Sequence, residues 1–359
     1  MPKHAKLPRP HQGHYSRTEF ALVGSTCVRM EAIMHRWAER LGDSHRCLLV
    51  TGDHADADTP ATIRYERKRF TLDTAHWNDY DDRLLGRQYD LALVNGNHYP
   101  AARQIVFVDK DKAGTLERRK DQLSNVFGIV HVSGDLPAWL PDVPIVPIDR
   151  VDELLPCLEE ELRSNTPPLK TLILAGGKSE RMGQDKSQLV YRDGQTEIDR
   201  LVTLFKDLRL PVNISVREGE GTSDVDASFI QDRFLDIGPM GAICSAFLHD
   251  PDAAWLVLAC DLPLLDRTTI ETLVEARRPD KVATALRSPE QEWPEPLVAI
   301  YEPRAYPRLL QFLSLGYSCP RKLLINSEVE VITLADAAPV TNANTPAERE
   351  SVLQRLSGE

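Results

Sequence analysis

A strand-like run, Thr171-Leu172-Ile173, leads into Leu174-Ala175-Gly176-Gly177-Lys178-Ser179-Glu180-Arg181-Met182-Gly183-Gln184-Asp185-Lys186, the stretch of this sequence richest in chemistry. Two glycines at the end of a strand let backbone amides approach a base or a phosphate where any Cβ would collide with the ligand. Arg181 and Lys186 add two positive charges, one able to grip phosphate oxygens with paired hydrogen bonds and one acting as a point charge. A tight turn with a solvated basic face would use some of the same residues. The glycine pair, arginine and lysine together behind a strand point instead to a triphosphate site, with Leu174, Ala175, Gly176 and Gly177 against the nucleotide.

Three further segments carry polar groups at the ends of apolar runs. Trp255-Leu256-Val257-Leu258-Ala259-Cys260 delivers Asp261 at a strand's carboxyl end, where open α/β sheets bind ligands, and a carboxylate there is placed to hold Mg²⁺ against a triphosphate. An Asp before Leu-Pro also suits a plain turn. Asp232-Arg233-Phe234-Leu235-Asp236-Ile237-Gly238-Pro239-Met240-Gly241 is an acidic loop followed by glycines that open a helix, able to meet a base or ribose. In Thr341-Asn342-Ala343-Asn344-Thr345-Pro346, neutral amides can ligate a cation or bond an acceptor, while Thr345 before Pro346 also reads as a helix N-cap.

The elements that must position these groups follow from the hydrophobic pattern. Beyond residue 168, TLILAG, EIDRLVTLFKDL, VNISV, GAICSAFLHD, WLVLAC, TTIETLVEAR and VATAL alternate short apolar runs with amphipathic stretches, as a parallel sheet covered on both faces requires. FALVG, EAIMHRWAERL, RCLLVTG, YDLALVNG, QIVFVD and GIVHVSGD do the same earlier. VDELLPCLEEELR, residues 151–163, reads as an amphipathic helix, and Ser164-Asn165-Thr166-Pro167-Pro168 after it reads as a linker. The expectation is a flexible arm over residues 1–19, two doubly wound three-layer α/β domains over 20–163 and 169–359, and a linker over 164–168.

At 359 residues, two domains fit better than one. A net charge of -11 disfavours a nucleic-acid partner, since binders of phosphate backbones concentrate positive charge on a face. The six cysteines form no C-x-x-C pair, and nine of the ten histidines precede residue 132 without an H-x-x-x-H pair, so neither type suggests a metal centre. No apolar run reaches the ~20 residues needed to cross a bilayer. The basic, Pro- and His-rich start lacks the apolar stretch of a secretory signal, so a cytoplasmic protein with reduced thiols is expected.

Five segments together resemble the molybdenum cofactor guanylyltransferases of the MobA type, within the Rossmann-like nucleotidyltransferases. LAGGKSERMGQDK is similar to that family's L-A-G-G-x-S-x-R-M-G-x-D-K, CDLP to its metal-binding C-D-x-P, DIGPMGAI to its G-P-x-x-G loop, PLVAIY to its P-L-x-x-x-Y and TNANTPAE to its N-x-N-T-P. The resemblance covers residues 169 to 359 in the family's order. It implies Gly176 and Gly177 against the base, Arg181 and Lys186 on the phosphates as catalytic charges, Asp232 and Gly238 near the guanosine, catalytic Asp261 on Mg²⁺, and a contact of Asn342 or Asn344 with acceptor or metal.

It further implies that the phosphate of molybdopterin attacks the α-phosphorus of GTP and releases pyrophosphate, with no covalent enzyme intermediate. Molybdoenzyme maturation proteins are the partners it suggests beyond these substrates. One position departs from the pattern, because Ile214-Ser215-Val216-Arg217 has Arg where family members often carry Asn. The alternatives are a cytidylyltransferase or sugar-phosphate nucleotidyltransferase of the same fold, or a non-catalytic regulatory or scaffold protein. Relatives that use CTP tend to carry L-A-A-G, and Pro before the Lys, so Gly176 and Asp185 favour GTP.

The first half resembles, more faintly, the GTP-binding MobB-type P-loop proteins of the same pathway, through Tyr89-Asp90-Leu91-Ala92-Leu93-Val94-Asn95-Gly96 and the strand-like runs after it. The nucleotide loop is missing. Gly24-Ser25-Thr26-Cys27-Val28-Arg29-Met30-Glu31 has neither the second glycine nor the Lys of G-x-x-x-x-G-K-[ST], and Asn95 replaces the usual carboxylate. The expectation is a degenerate P-loop domain that docks or recruits the acceptor, or an inert fusion partner. His54, Asp56 and Asp58 read as an exposed acidic loop.

Overall fold

Side chains in a strand alternate between the two faces of a sheet, so a run that is apolar at every position must be covered on both. That condition shapes both halves of the chain. The computed structural model describes residues 15–52, 63–64, 79–175, 189–192, 194–217, 225–343 and 345–357, and the chain divides into two units between Thr166 and Pro167.

The first unit contains β1 (Thr18–Val23), α1 (Cys27–Leu41), β2 (Cys47–Val50), β3 (Ile63–Arg64), α2 (Asp79–Gly86), β4 (Leu91–Asn95), β5 (Arg103–Val108), α3 (Ala113–Arg119), β6 (Val126–His131), β7 (Ile145–Pro147) and α4 (Leu155–Ser164). The strand order is β3-β2-β4-β1-β5-β6-β7, parallel except for β3 on β2. Phe20, Leu22, Leu93 and Phe107 face Met30, Met34 and Trp37 of α1 and Leu158 of α4. Their neighbours Ala21, Val94, Val23, Val106 and Val108 face the opposite way.

Residues 1–14 of the expected arm lie outside the described residues, and the chain is already inside the fold at Tyr15. Glu19 is buried because both carboxylate oxygens are used, one taking the Tyr15 amide and the other the Ala102 amide, each at 2.8 Å. The helix expected over residues 151–163 is split. A 3-10 segment, Ile148–Leu154, precedes α4, because Pro156 sits in the first turn of α4 and its ring and missing N–H prevent a longer helix from running through.

The turn between β1 and α1 closes on itself. Gly24 has φ +101°, and a Cβ there would lie 2.3 Å from the Phe107 carbonyl oxygen, so only glycine fits. Next to it the Ser25 hydroxyl donates to Asp109 Oδ2 at 2.7 Å, and Arg29 Nη1 donates to Ser25 Oγ at 2.8 Å and pairs with Asp109. Asn95 at the end of β4 donates to Glu31 Oε1 at 2.7 Å.

Burial raises the Asp109 pKa, but the Ser25 hydroxyl, the Asp111 amide and the Arg29 guanidinium outweigh it and hold the carboxyl below its ordinary value. A depressed folded pKa contributes stability that is present above the unfolded value, near 4, and is lost as pH falls through the folded one. Asp109→Asn is therefore expected to flatten part of the acid-induced stability loss below about pH 5, read by urea unfolding across that range.

The second unit contains β8 (Leu169–Leu174), β9 (Val190–Arg192), β10 (Gln195–Thr196), α5 (Glu197–Asp207), β11 (Val212–Val216), β12 (Ser228–Gln231), α6 (Pro239–His249), β13 (Ala254–Ala259), α7 (Arg267–Glu275), β14 (Ala283–Arg287), β15 (Val298–Tyr301), α8 (Ala305–Ser314), α9 (Pro320–Ile325), β16 (Val329–Thr333) and α10 (Pro346–Ser357). Its main sheet runs β12-β11-β8-β13-β15-β14-β16, while β9 and β10 pair as a small antiparallel ribbon. Leu172, Leu174, Trp255 and Val257 pack towards α6 and α8, and Ile173, Leu256 and Leu258 pack the other way towards α5 and α7.

The sheet is mixed, not wholly parallel as the alternation of runs suggested. β15 is antiparallel to both β13 and β14. Residues 288–297, which join β14 to β15, contain no helix, and a parallel crossover needs a dozen or more residues, usually helical.

Among the described residues, no helix is long and apolar enough to cross a membrane.

Candidate active site

The chain leaves β8 through α5 to β11 on one side and reaches β13 on the other, so the winding reverses between β8 and β13. Open α/β sheets bind ligands in the crevice beyond the carboxyl ends of strands at such a reversal. Leu174, the last residue of β8, is in register with Ala259 of β13 and with Ser215 of β11. Leu174 is buried and Ala175 half-buried, while Asp261 leaves β13 two residues past that register position, also half-buried. Two of the segments read as nucleotide-binding thus emerge side by side from neighbouring strands. Gly176, Gly177, Arg181, Lys186 and Asn344 lie outside the described residues, as do His54, Asp56 and Asp58.

Asp232 sits at the carboxyl end of β12, where the Ser215 hydroxyl of β11 donates to its Oδ1 at 2.7 Å and its own amide donates to the Val216 carbonyl at 2.9 Å. Gly238 is the N-cap of α6 with φ 62°, a left-handed value that suits glycine. Ser245 of α6 ties the loop to the helix, accepting from the Arg233 amide at 2.8 Å and donating to the Gly241 carbonyl at 2.7 Å. Gly241 allows that closeness, since a Cβ would lie 2.2 Å from the Phe234 carbonyl oxygen. The Ala343 amide donates to the Asp261 carbonyl at 3.0 Å, which brings the Asn342 segment against Asp261, with Asn342 exposed.

Behind Asp261 lies a set of charges that the motif reading passed over. Arg200 on α5 pairs with Glu197 through both carboxylate oxygens, and its guanidinium also donates to the carbonyls of Leu265 at 2.9 Å and Leu262 at 3.3 Å. Arg192 on β9 donates to the Pro263 carbonyl at 2.9 Å. The backbone just after Asp261 is therefore gripped by two guanidiniums. Glu197 is 2% exposed, and burial pushes its carboxyl above the ordinary value, opposed by Arg200 and Arg192 and aided by Asp261. Tyr191 is buried beside this group, and burial pushes its phenol up to about 12. Thr196-x-x-Asp199 at the start of α5 was the available signal, since Thr196 caps the helix and so sets Glu197 and Arg200 one turn apart on a common face.

The model of the MobA-like NTP transferase domain matches residues 171–330. A molybdenum cofactor guanylyltransferase of Synechococcus elongatus, described as probable, is 31% identical over 193 residues, which are 50% of this chain and 96% of that protein. The chain belongs to the family of MobA-like NTP transferases. A molybdenum cofactor biosynthesis bifunctional protein of Synechocystis is 33% identical over 181 residues, and the match spans about half of each, 50% of this chain and 52% of that protein. A crystal structure of a MobB protein homolog from Bacillus stearothermophilus covers 41% of this chain and 98% of its own at 19% identity, with a TM-score of 0.30.

In this MobA-like unit the Asp261 carboxylate and the amide-bearing Asn342 segment lie together beyond β13, and the helix opening at Gly238 follows β12 on the same sheet. Among the described residues, no three His, Cys, Asp or Glu side chains gather to cage a metal. Asp261 offers a hard carboxylate oxygen, which fits a Mg²⁺ ion that binds through one or two carboxylates and completes its shell with phosphates and water.

Proposed function

We propose that the second unit transfers GMP from GTP to the phosphate of molybdenum-bound molybdopterin, forming a dinucleotide cofactor and releasing pyrophosphate. The observation that carries this reading is the emergence of Leu174-Ala175 and Asp261 from adjacent strands at the reversal of the sheet, with Ala343 hydrogen-bonded to the Asp261 backbone. The acceptor's phosphate oxygen forms a bond to the α-phosphorus as the bond to the β-phosphate oxygen breaks. The protein's part is positioning and charge. Leu174 to Gly177 and Gly238 receive the nucleoside, Asp232 meets it on the far side, Arg181 and Lys186 take the phosphate charge, and Asn342 or Asn344 orients the acceptor. Asp261 would hold Mg²⁺, which when bound offsets the negative charge of the reacting phosphates.

The first unit, in this reading, docks or stabilises without hydrolysing nucleotide. The place where a P-loop would cradle phosphates holds the internal network of Ser25, Arg29 and Asp109. The experiment for the whole proposal measures pyrophosphate release by the full chain with Mg²⁺, molybdenum-loaded molybdopterin and each nucleoside triphosphate in turn. Release with GTP alone is the expected result. Release with CTP alone would reassign the base, and none with any nucleotide would overturn the transferase reading for this acceptor.

A further inference from the structure

Tyr191 lies on β9, and its ring packs with Leu189, Val352 of α10 and Ala343, the residue that bonds the Asp261 backbone. The Arg349 guanidinium lies 5.8 Å from the ring centroid. The residue is 7% exposed, and its hydroxyl oxygen is buried with no hydrogen-bond partner in the protein. The charges that bear on that hydroxyl are Arg349, Glu197, Asp261 and Cys260, contributed by α10, α5 and the chain beyond β13. A buried hydroxyl without a partner destabilises a fold, and phenylalanine would fill the same apolar pocket without that cost. The protein nevertheless keeps an O–H donor between its candidate metal-holding carboxylate and its candidate acceptor segment.

We propose that the Tyr191 hydroxyl is a ligand-contacting group that donates its hydrogen bond to a phosphoryl oxygen of the bound substrate. The proposal rests on reading Asp261 as the centre of the nucleotide site. Phosphoryl oxygens are acceptors, so they supply what this donor lacks. Arg349 beside the ring attracts a phosphate anion, whereas the carboxylate of Asp261 repels it unless a divalent cation accompanies the phosphate. Two sources carry this chemistry, the polyphosphate of the nucleotide and the phosphomonoester of the acceptor.

Tyr191→Phe in the full chain tests it, with thermal unfolding of the ligand-free protein and calorimetric titration with inorganic tripolyphosphate or phenyl phosphate, each with Mg²⁺. The variant is expected to unfold at the same temperature or higher and to bind one probe roughly tenfold more weakly, the loss of one charge-assisted hydrogen bond. Weaker tripolyphosphate binding assigns the contact to the nucleotide, and weaker phenyl phosphate binding assigns it to the acceptor. Unchanged affinity for both overturns the proposal, as does a drop of several degrees in unfolding temperature, which would mean that the hydroxyl serves the fold. If GTP gave no pyrophosphate release while the variant still bound a probe more weakly, the function proposed above would fall and this contact would stand.

Discussion

Asp261→Ala is expected to lower nucleotidyl transfer on the order of 10³-fold, the scale on which removing one preorganised electrostatic group slows charged chemistry. Asp261 leaves β13 at the reversal of the sheet and its side chain is half-buried, so the deletion removes the carboxylate while leaving the apolar strand Ala254–Ala259 intact. The Ala343 bond uses the Asp261 backbone carbonyl and survives the substitution. Folding should therefore change little, and raising Mg²⁺ should recover only part of the lost rate. The check is kcat and KM for GTP across a Mg²⁺ series beside a thermal unfolding curve. A variant of unchanged stability and unchanged kcat would remove Asp261 from the metal and from catalysis.

Arg200→Ala is the larger expected change in stability. It leaves Glu197, 2% exposed, without the guanidinium that satisfies both carboxylate oxygens, and it frees the Leu262 and Leu265 carbonyls. Breaking a buried pair from one side costs about 3–5 kcal/mol because the remaining charge stays desolvated. The carboxyl can limit that cost by taking up a proton. Glu197 already titrates above the ordinary carboxylate value, so stability tied to its protonated form is present below the unfolded pKa and is lost as pH rises through the folded one.

Without Arg200 the same group is pushed further in that direction. The deficit of the variant should therefore be larger at pH 8 than at pH 5, measured by urea unfolding at the two values. Catalysis should fall as well, since Arg192 alone would hold the segment after Asp261, through the Pro263 carbonyl. An equal deficit at both pH values would mean that the pair contributes no charge-dependent stability.

Much of this protein was legible in the residues themselves. Strands β8, β11 and β13 and helices α5 and α6 follow from apolar runs whose spacing admits few alternatives, and the strand-to-glycine passage at Leu174 is the residue pattern from which the proposed phosphate site is read. Asp261 stood out as a carboxylate at the end of a strand that is apolar at every position, although an Asp before Leu-Pro suits a plain turn equally well. The direction of β15 was not legible, since PLVAIY reads the same in either orientation and only the helix-free connection from β14 turns it antiparallel.

Local sequence determined which segments form strands and helices and which residue types could bind a triphosphate, because propensity and hydrophobic period act over a few neighbouring residues. Tertiary structure decided the rest. The register of Leu174 against Ala259, the grip of Arg192 and Arg200 on the backbone after Asp261, the filling of the β1–α1 turn by Arg29 and Asp109, and the burial of the Tyr191 hydroxyl all join residues distant in the chain. Such pairings depend on how sheets and helices stack, and a hydrogen bond or a desolvated charge acquires its energy only once packing has excluded water around it.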